Sequence, residues 1–320
     1  MSANASVGRR FGLAAVRRVA ALALAVATAA MLAPAAVAAT PAQRAAGYLA
    51  RAQNADGGLG NAPGNPSGAM STQWTALGVA AAGHSPAAMR RGGGRTLAAA
   101  VRAYASRART TGDLERSILA LRASRQKVPA SLTRQLLGHR RADGSFDGLV
   151  NWTAFGVLAL RAVGRSTRDG AVRAATRFLV RQQNRDGGWN VGGRGGRSGI
   201  DDSAGALQAL VAGGRSRRSG PVRRGAAFIA RQQRADGGFP LQPGGATNAQ
   251  STAWAVQALV AAGRNPDRVR RRGSRTPLQY LRSLQTANGM VRYSRTSAQT
   301  PVWVTAQALT AFARRPFPLR

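Results

Sequence analysis

The chain has 320 residues, of which 44% are hydrophobic, and a formal net charge of +36. This length and composition allow a substantial buried core and suit one domain or a repeat array. The sequence contains no cysteine, which excludes disulfides, thiolate or thioester chemistry and a cysteine-ligated zinc site.

Residues 1–39 resemble a signal peptide. An apolar run from Val19 to Leu32 is followed by the small-residue triplet Ala36-Val37-Ala38, and four arginines precede it: Arg9, Arg10, Arg17 and Arg18. This order predicts cleavage near Ala38 or Ala39 and a secreted or cell-envelope location. An uncleaved membrane anchor is the alternative, although the run is only moderately apolar and Pro34 follows it closely. The arginines leave open whether export follows the general secretory or the twin-arginine route.

Beyond the leader, a pattern of an aromatic residue, a glutamine and a glycine recurs along the chain. It begins at Tyr48, Phe178, Phe228 and Tyr280, and a degenerate copy begins at Gln135. A second apolar block follows each copy, and both blocks have the 3.6-residue period of helices. With one further pair near residues 97–123, the spacing predicts six helix pairs. Their ranges are about 40–83, 95–126, 129–164, 169–214, 219–263 and 275–313, and residues 316–320 form a short tail.

The turn between the two helices of a pair explains the rest of the pattern. Asp56-Gly57, Asp186-Gly187 and Asp236-Gly237 stand at the same place in three repeats. Aspartate hydrogen-bonds its own turn and glycine adopts a positive φ, so the chain reverses tightly there. We therefore expect these aspartates to be structural.

The pattern resembles the repeat of squalene and oxidosqualene cyclases, and the helix pairs are similar to those of protein prenyltransferases. The resemblance covers roughly Pro41 to Ala313. It implies an all-α fold, an α6/α6 toroid in which six parallel inner helices are surrounded by six antiparallel outer helices. All inner helices then begin at one end of the ring, which we call the mouth. The resemblance indicates the fold more strongly than the function, because this superfamily hosts unrelated activities.

Free N–H groups and helix dipoles converge on such a mouth, which suits an anion or polyol. Four inner helix starts or the loops before them supply polar candidates, and the tryptophans offer an apolar or sugar-stacking lining. Flexible loops and simple core packing are the alternatives. The candidate ligand-binding residues are Trp74, Asp113, Glu115, Asn151, Trp152, Arg194, Arg197, Trp254, Tyr293 and Trp303.

Aligning the inner helices on their Ala-Leu endings places polar residues at their starts. Asp201-Asp202 then align with Thr300-Pro301. Ser, Asp, Asn and Thr at such positions are typical of helix caps. We therefore expect most of these side chains to bond the first N–H groups of their helices.

The segment from Gly199 to Ala204 resembles the Asp-x-Asp-Asp-Thr-Ala motif of class II terpene cyclases. The resemblance implies that Asp201 is the acid that protonates an alkene or epoxide and that Asp202 is its neighbour. Gly199 replaces the first aspartate of the motif. In those cyclases the cavity lies between two helical domains, whereas this chain has one.

The other titratable residues give little further support for catalysis. Of the 11 carboxylates, Asp113, Glu115, Asp147, Asp201 and Asp202 remain after those in turns and connectors are set aside. His84 and His139 have no obvious acidic partner in the sequence. We predict no metal site and no cofactor.

Three functions are compatible with these features of the sequence. The first is a non-catalytic, exported ligand-binding or envelope-associated protein that binds a small molecule, glycan or isoprenoid at the mouth. The second is a terpene cyclase-like enzyme, an isomerase or lyase, that acts through Asp201. The third is a basic scaffold for an anionic envelope polymer or lipid headgroups. The arginines are scattered over all repeats, which argues against sequence-specific nucleic-acid binding and is also consistent with mutational bias.

Overall fold

A computed structural model describes Met1, residues 38–270 and residues 273–319. The chain divides into two compact units, Met1–Ala39 and Thr40–Arg320. The predicted signal peptide lies almost entirely outside the described residues. The predicted six helix pairs all belong to the second unit.

Twelve α-helices lie in the described part of the second unit, and they alternate between an outer and an inner ring. The outer helices are α1 (Pro41–Arg51), α3 (Leu97–Ala105), α5 (Ala130–Gly138), α7 (Gly170–Arg181), α9 (Gly220–Arg231) and α11 (Pro277–Ser283). The inner helices are α2 (Ala69–Ala81), α4 (Thr111–Ala123), α6 (Val150–Ala162), α8 (Ile200–Ala212), α10 (Ala249–Ala261) and α12 (Pro301–Phe312). A two-residue hairpin, β1 (Phe239–Pro240) and β2 (Thr247–Asn248), and one 3-10 turn (Pro266–Arg268) complete the structure.

The ring closes between the last repeat and the first. Helix α12 packs against α1 and α2. The Gln285 side-chain amide donates to the Pro41 carbonyl (2.9 Å), and the Val302 N–H donates to the Asn61 carbonyl (3.2 Å). The predicted α6/α6 toroid is therefore confirmed.

In four of the six repeats, the recurring glutamine ties its own turn to the first part of the next repeat. Gln183 Nε2 donates both to the Gly187 carbonyl of its own turn and to the Pro221 carbonyl of the following outer helix, at 2.9 Å each. Gln53, Gln233 and Gln285 make the corresponding pairs of bonds. The glutamine that recurs in the sequence is thus the link between neighbouring repeats.

The turn aspartates have the structural role that the sequence predicts. Asp186 Oδ1 accepts from the Gly188 N–H (2.8 Å) and from the Ser198 hydroxyl (2.9 Å). Asp56 makes the equivalent two bonds. These contacts fix the turn against the loop that follows it.

Four aromatic side chains fill the middle of the ring. Trp74, Phe155 and Trp254 come from three alternate inner helices, and their ring centroids lie 5.5–6.3 Å apart in edge-to-face pairs. Phe317 enters from the opposite end. Its ring contacts Trp74 in a tilted geometry and Trp254 edge-on, and its N–H donates to Gln208 Oε1 (2.9 Å). We call these four the aromatic layer. The segment predicted as a short tail, residues 316–320, therefore contributes a side chain to the core.

A glycine at the ring closure provides a stability test. Gly289 has φ +92°, and a Cβ there would overlap the Arg44 carbonyl. We expect Gly289→Ala to lower the free energy of unfolding by about 2 kcal/mol through φ strain and overlap together. Gly64 has φ +83° with open space around it, so Gly64→Ala should cost only about 1 kcal/mol. Denaturant unfolding of both variants checks this, and equal losses would contradict a tight closure.

Among the described residues, no helix is both long and apolar enough to cross a bilayer.

Candidate functional site

In five of the six inner helices, a hydroxyl at the fourth or fifth helical residue marks the register of the helix. This hydroxyl accepts a hydrogen bond of 2.9–3.0 Å from the backbone N–H of the residue that ends the preceding turn motif. The acceptors are Thr72, Thr153, Ser203, Thr252 and Thr305. Residues that stand the same number of positions before or after these hydroxyl residues in the sequence are therefore structurally equivalent.

This register corrects the sequence alignment of the last repeat. Because Thr305 is equivalent to Ser203, the residues opposite Asp201-Asp202 are Trp303 and Val304. The alignment on Ala-Leu endings had placed Thr300-Pro301 there. It is wrong because α8 has two Ala-Leu pairs, and Ala308-Leu309 corresponds to Ala206-Leu207 and not to Ala209-Leu210.

The capping interpretation is also wrong for most of these residues. The N-caps of the inner helices are Gly68, Thr110, Leu149, Gly199, Asn248 and Thr300, and only Thr110 and Asn248 accept a capping bond through their side chains. Asp201 and Asp202 instead lie inside the first turn of α8. Their carboxylates are thus available for another role.

Two levels of side chains line the mouth. The aromatic layer forms the floor, where Phe155 remains partly exposed. One helical turn closer to the helix starts lies the mouth layer, which consists of Met70, Asn151, Asp201, Gln250 and Trp303. Because residues four apart lie on the same helix face, this layer stands directly above the floor.

The rim of the mouth is apolar. Within the described part of the toroid, the exposed large hydrophobic side chains are Met70, Val191 and Leu241, with 38%, 39% and 47% exposure. Val191 and Leu241 are held at the helix starts because their carbonyls accept from the Val150 and Ile200 N–H groups at 2.9 Å. An exposed apolar rim above a partly exposed aromatic floor is typical of a binding site.

Two carboxyl groups at the mouth have raised pKa values. Burial raises the pKa of Asp201 to about 7; the Ser251 hydroxyl opposes this shift and the Asp202 charge adds to it. Burial also raises the pKa of Asp202 to about 6, against a bond from the Val191 backbone. Burial and the Asp201 charge raise the pKa of Tyr293, which the sequence also selected. The structure therefore brings Asp201, Asp202 and Tyr293 together.

Several buried polar atoms at the mouth have no hydrogen-bond partner among the described residues. They are Asp201 Oδ1, Gln242 Oε1, Arg292 Nε and Trp303 Nε1. Buried polar groups are normally paired. Donors and an ionisable acceptor thus lie close to one apolar rim.

Gly199 shows how the site departs from the cyclase motif. A Cβ at this position would lie 3.1 Å from Gln242 Nε2 and 3.4 Å from Asp202 Oδ2. The place of the first aspartate of the motif is therefore already crowded. Asp201 has Ser251 and Asp202 beside it instead of a third carboxylate.

The candidate tryptophans divide into two groups. Trp74 and Trp254 are each 6% exposed and belong to the aromatic layer, so core packing accounts for them. Trp152 and Trp303 are partly exposed at the first turns of α6 and α12. Only the second pair can touch a ligand without rearrangement.

On α4 the polar candidates form their own network. Arg116 lies 2.6 Å from Asp113 and donates to Gln73 Oε1 at 2.9 Å. Glu115 is 2% exposed, and its Oε1 has no partner among the described residues. Burial raises its pKa well above the usual range; Arg116 opposes the shift and Asp147 adds to it. Asp113 is therefore engaged internally.

His139 has an acidic partner, although none was obvious in the sequence. Its Nδ1 lies 2.9 Å from Asp147 Oδ2, and the Thr111 hydroxyl bonds the same oxygen. Asp147 has φ +47°, a turn conformation that the sequence did not indicate. The pair lies eight residues apart on either side of a tight turn.

Three other candidates are placed outside the mouth or are internally bonded. Arg194 and Arg197 line a cleft with Asn184, Asp186 and Pro243 instead of with Asp201. Asn151 belongs to the mouth layer, but its Oδ1 accepts from the Trp152 N–H (2.8 Å).

In the ranges 38–270 and 273–319, no three His, Asp or Glu side chains are grouped so that they could hold a metal ion.

Sequence reasoning missed Phe155 and the apolar rim. Phe155 stands two residues after Thr153, as Trp74 and Trp254 stand two residues after Thr72 and Thr252. The hydroxyl two residues earlier was the available signal. Met70, Val191 and Leu241 gave no signal, because single apolar residues in loops and helix starts are common.

Closed rings of helix pairs with a single mouth define the class of α/α-toroid proteins. The model of the prenyltransferase alpha-alpha toroid domain matches residues 16–91 and 203–305, and that of the squalene-hopene cyclase C-terminal domain matches residues 136–245. The chain belongs to the prenyltransferase alpha-alpha toroid family. No curated protein matches the sequence.

Solved structures with the same fold have different activities. The type II terpene cyclase MstE from Scytonema is 14% identical with a TM-score of 0.59, and the match covers 85% of this chain and 96% of that one. A glycosidase variant is 14% identical with a TM-score of 0.58, covering 86% and 97%. The Candida albicans protein geranylgeranyltransferase-I, complexed with GGPP, is 11% identical with a TM-score of 0.50, covering 65% and 69%. At these identities the likeness establishes the fold alone.

Proposed function

We propose that this protein is an exported, non-catalytic protein that binds the apolar chain of an amphipathic ligand, such as an isoprenoid, at the mouth. The observation that carries the proposal is the exposed apolar rim of Met70, Val191 and Leu241 above a partly exposed Phe155. The apolar chain of the ligand would cover this surface and exclude water from it. Each Å² of apolar area removed from water contributes about 25 cal/mol to the binding free energy.

The polar atoms of the mouth suit the head of such a ligand. With a pKa of about 7, Asp201 is largely protonated in mildly acidic surroundings and can donate a hydrogen bond. Trp303 Nε1 and Arg292 Nε are buried donors without a partner among the described residues. A hydroxyl or ester head could pair with these groups while the chain contacts the rim.

Two structural neighbours support an isoprenoid as the ligand class. MstE has been solved with geranylgeranyl dihydroxybenzoate as its substrate, and the geranylgeranyltransferase with GGPP. The leader pattern of residues 1–39 supports export. Together they favour a ligand from the cell envelope.

Binding can be tested through tryptophan fluorescence with geranylgeraniol as the probe. We expect Leu241→Glu to weaken binding about tenfold or more, because it places a charge on the apolar rim. Ala99→Glu, on the exposed side of α3, adds the same charge elsewhere and should change affinity less than twofold. If both variants bind as the parent does, the mouth is not the site.

A second candidate function is acid-initiated isoprenoid cyclisation through Asp201. The raised pKa of Asp201 favours it, as does the match to nearly the whole length of a type II terpene cyclase. The Asp201 carboxyl would donate its proton to a terminal alkene, and a neighbouring double bond would attack the resulting carbocation. A proton lost from the product cation would return to the carboxylate.

One substitution separates the two functions. Asp201→Asn should leave geranylgeraniol affinity within about threefold if the protein only binds, and no cyclised product should form with either protein. A cyclic product made by the parent and lost in Asp201→Asn would establish the enzyme instead. Gas chromatography of extracts after incubation with squalene and geranylgeraniol provides the measurement.

A further inference from the structure

Each repeat can form a cleft between its outer helix and the end of its inner helix, and three such clefts are well developed. In repeat 1 the cleft is largely apolar and is lined by Ala46, Gly47, Ala50, Val79 and His84, among others. In repeats 3 and 4 the corresponding clefts have volumes of about 430 and 320 Å³. These volumes match those of small-ligand sites, about 300 to 1,000 Å³.

The clefts of repeats 3 and 4 carry arginine at the same two positions. The first precedes the start of the repeat pattern and is Arg134 in repeat 3 and Arg177 in repeat 4. The second follows the positive-φ glycine after the inner helix and is Arg165 or Arg215. Lys127, the single lysine of the chain, also lines the cleft of repeat 3.

This pairing is local to the two adjacent repeats. At the first position repeat 1 has Gly47, repeat 5 has Ala227 and repeat 6 has Gln279. A uniform excess of arginine over the whole surface would not confine the pairing to neighbours. The two clefts together therefore form a concentrated patch of positive charge.

The surroundings of the patch do not cancel its charge. No carboxylate lines either cleft, although Arg165 bonds Asp169 at 2.7 Å. The inner helices have their C-terminal ends here, and the C-terminal end of a helix carries a partial negative charge. Arg122 and Arg161 offset this partial charge, because they donate to the Ala162 and Ala212 carbonyls at 3.0 and 2.9 Å.

We propose that the clefts of repeats 3 and 4 form one binding site for a linear polyanion of the phosphate class, which runs from one cleft into the next. Arg134 and Arg177 are exposed and have no hydrogen bond or ion pair among the described residues, so both side chains can bind an anion directly. This site lies at the inner helix ends, away from the mouth, and does not depend on the function proposed there.

The lining of the clefts favours such a polymer over a membrane or a nucleic acid. None of the exposed large hydrophobic residues of the described toroid lines these clefts, so nothing there would insert into a bilayer. No aromatic side chain lines them either, and single-stranded nucleic acids are bound largely by stacking on aromatic rings. The two clefts can therefore recognise the negative charges along the backbone of the polymer.

The test measures binding of end-labelled linear polyphosphate to the purified protein by fluorescence anisotropy across salt concentrations. The double variant Arg134→Gln/Arg177→Gln should bind about tenfold more weakly. The slope of the logarithm of its binding constant against the logarithm of salt concentration should be shallower, by about one ion pair for each arginine removed. The control Arg223→Gln/Arg264→Gln removes two exposed arginines from repeat 5 and should change affinity less than about threefold.

Three outcomes would overturn the proposal. Equal weakening in both double variants would mean that the attraction is only diffuse. Single-stranded DNA of equal charge that binds more tightly and depends on the same arginines would make the ligand a nucleic acid. Stronger retention on vesicles of anionic phospholipid, again dependent on these arginines, would make it a membrane surface. Geranylgeraniol binding at the mouth should be unchanged in every variant, which separates this test from that of the proposed function.

Discussion

Replacing Trp254 with alanine is expected to lower the free energy of unfolding by about 3 to 5 kcal/mol. The indole is 6% exposed and contacts Trp74, Phe155 and Phe317 with ring centroids 5.5–6.1 Å away. Its removal leaves a cavity at the centre of the ring, where three inner helices and the C-terminal segment meet. Those helices are held apart by their own neighbours and therefore cannot close the gap. Chemical denaturation followed by circular dichroism provides the measurement.

Trp303→Ala is the matched control for that variant. Trp303 lies in the mouth layer and is partly exposed, so truncating it should cost about 1 kcal/mol or less. Trp303→Ala should instead weaken ligand binding at the mouth. Equal destabilisation by the two variants would show that the aromatic layer is not the centre of the core.

Asp201→Asn should stabilise the protein at pH 8 by about 3 to 4 kcal/mol relative to the parent and have little effect at pH 4. The pKa of Asp201 is raised from 3.8 to about 7, mainly by burial. Between these two values the folded state binds more protons than the unfolded state. Stability therefore falls as the pH rises through this window, and the full cost of the buried charge is present above pH 7.

Asp143 should show the opposite sign. Hydrogen bonds from the Ser145 hydroxyl and N–H lower the pKa of Asp143. Its charged form stabilises the fold at neutral pH, and this contribution is lost as the pH falls through the lowered value. Asp143→Asn should thus destabilise the protein at pH 8, and the difference from the parent should shrink as the pH falls through the lowered pKa of Asp143. Urea unfolding at each pH measures both effects, and a parent protein as stable at pH 8 as at pH 5 would contradict the raised pKa of Asp201.

The helix pairs and their turns could be predicted because they depend on residues close together in the chain. Thr40-Pro41 starts α1 with a capping box, and Pro221 lies in the first turn of α9; both are local signals of a helix start. Gly83, Gly164 and Gly263 have positive φ after the inner helices. For repeat 2 the sequence predicts one helix pair near residues 97–123, and the structure has α3 at Leu97–Ala105 and α4 at Thr111–Ala123. The exact ends of these helices depend on caps such as Thr110 and not on the helical period alone.

Part of the candidate site could also be predicted. The acidic pair Asp201-Asp202 and the nearby Tyr293 were selected from the sequence, and they do lie together at the mouth. Their raised pKa values could not be predicted, because burial depends on what α10 and the loop before it place around α8. Arg194 and Arg197 were selected as loop arginines above a helix start, but their loop bends toward Asp186 instead.

The sequence by itself determined the helix pairs and the tight turns between their helices. Helical period, turn aspartates and positive-φ glycines act within about a dozen residues, so a local pattern specifies them. Only the tertiary structure decided that Phe317 packs in the ring centre, that His139 meets Asp147, and that Trp303 stands level with Asp201. These contacts arise where separate elements converge, and there the closure of the ring, not the spacing of residues along the chain, sets which side chains meet.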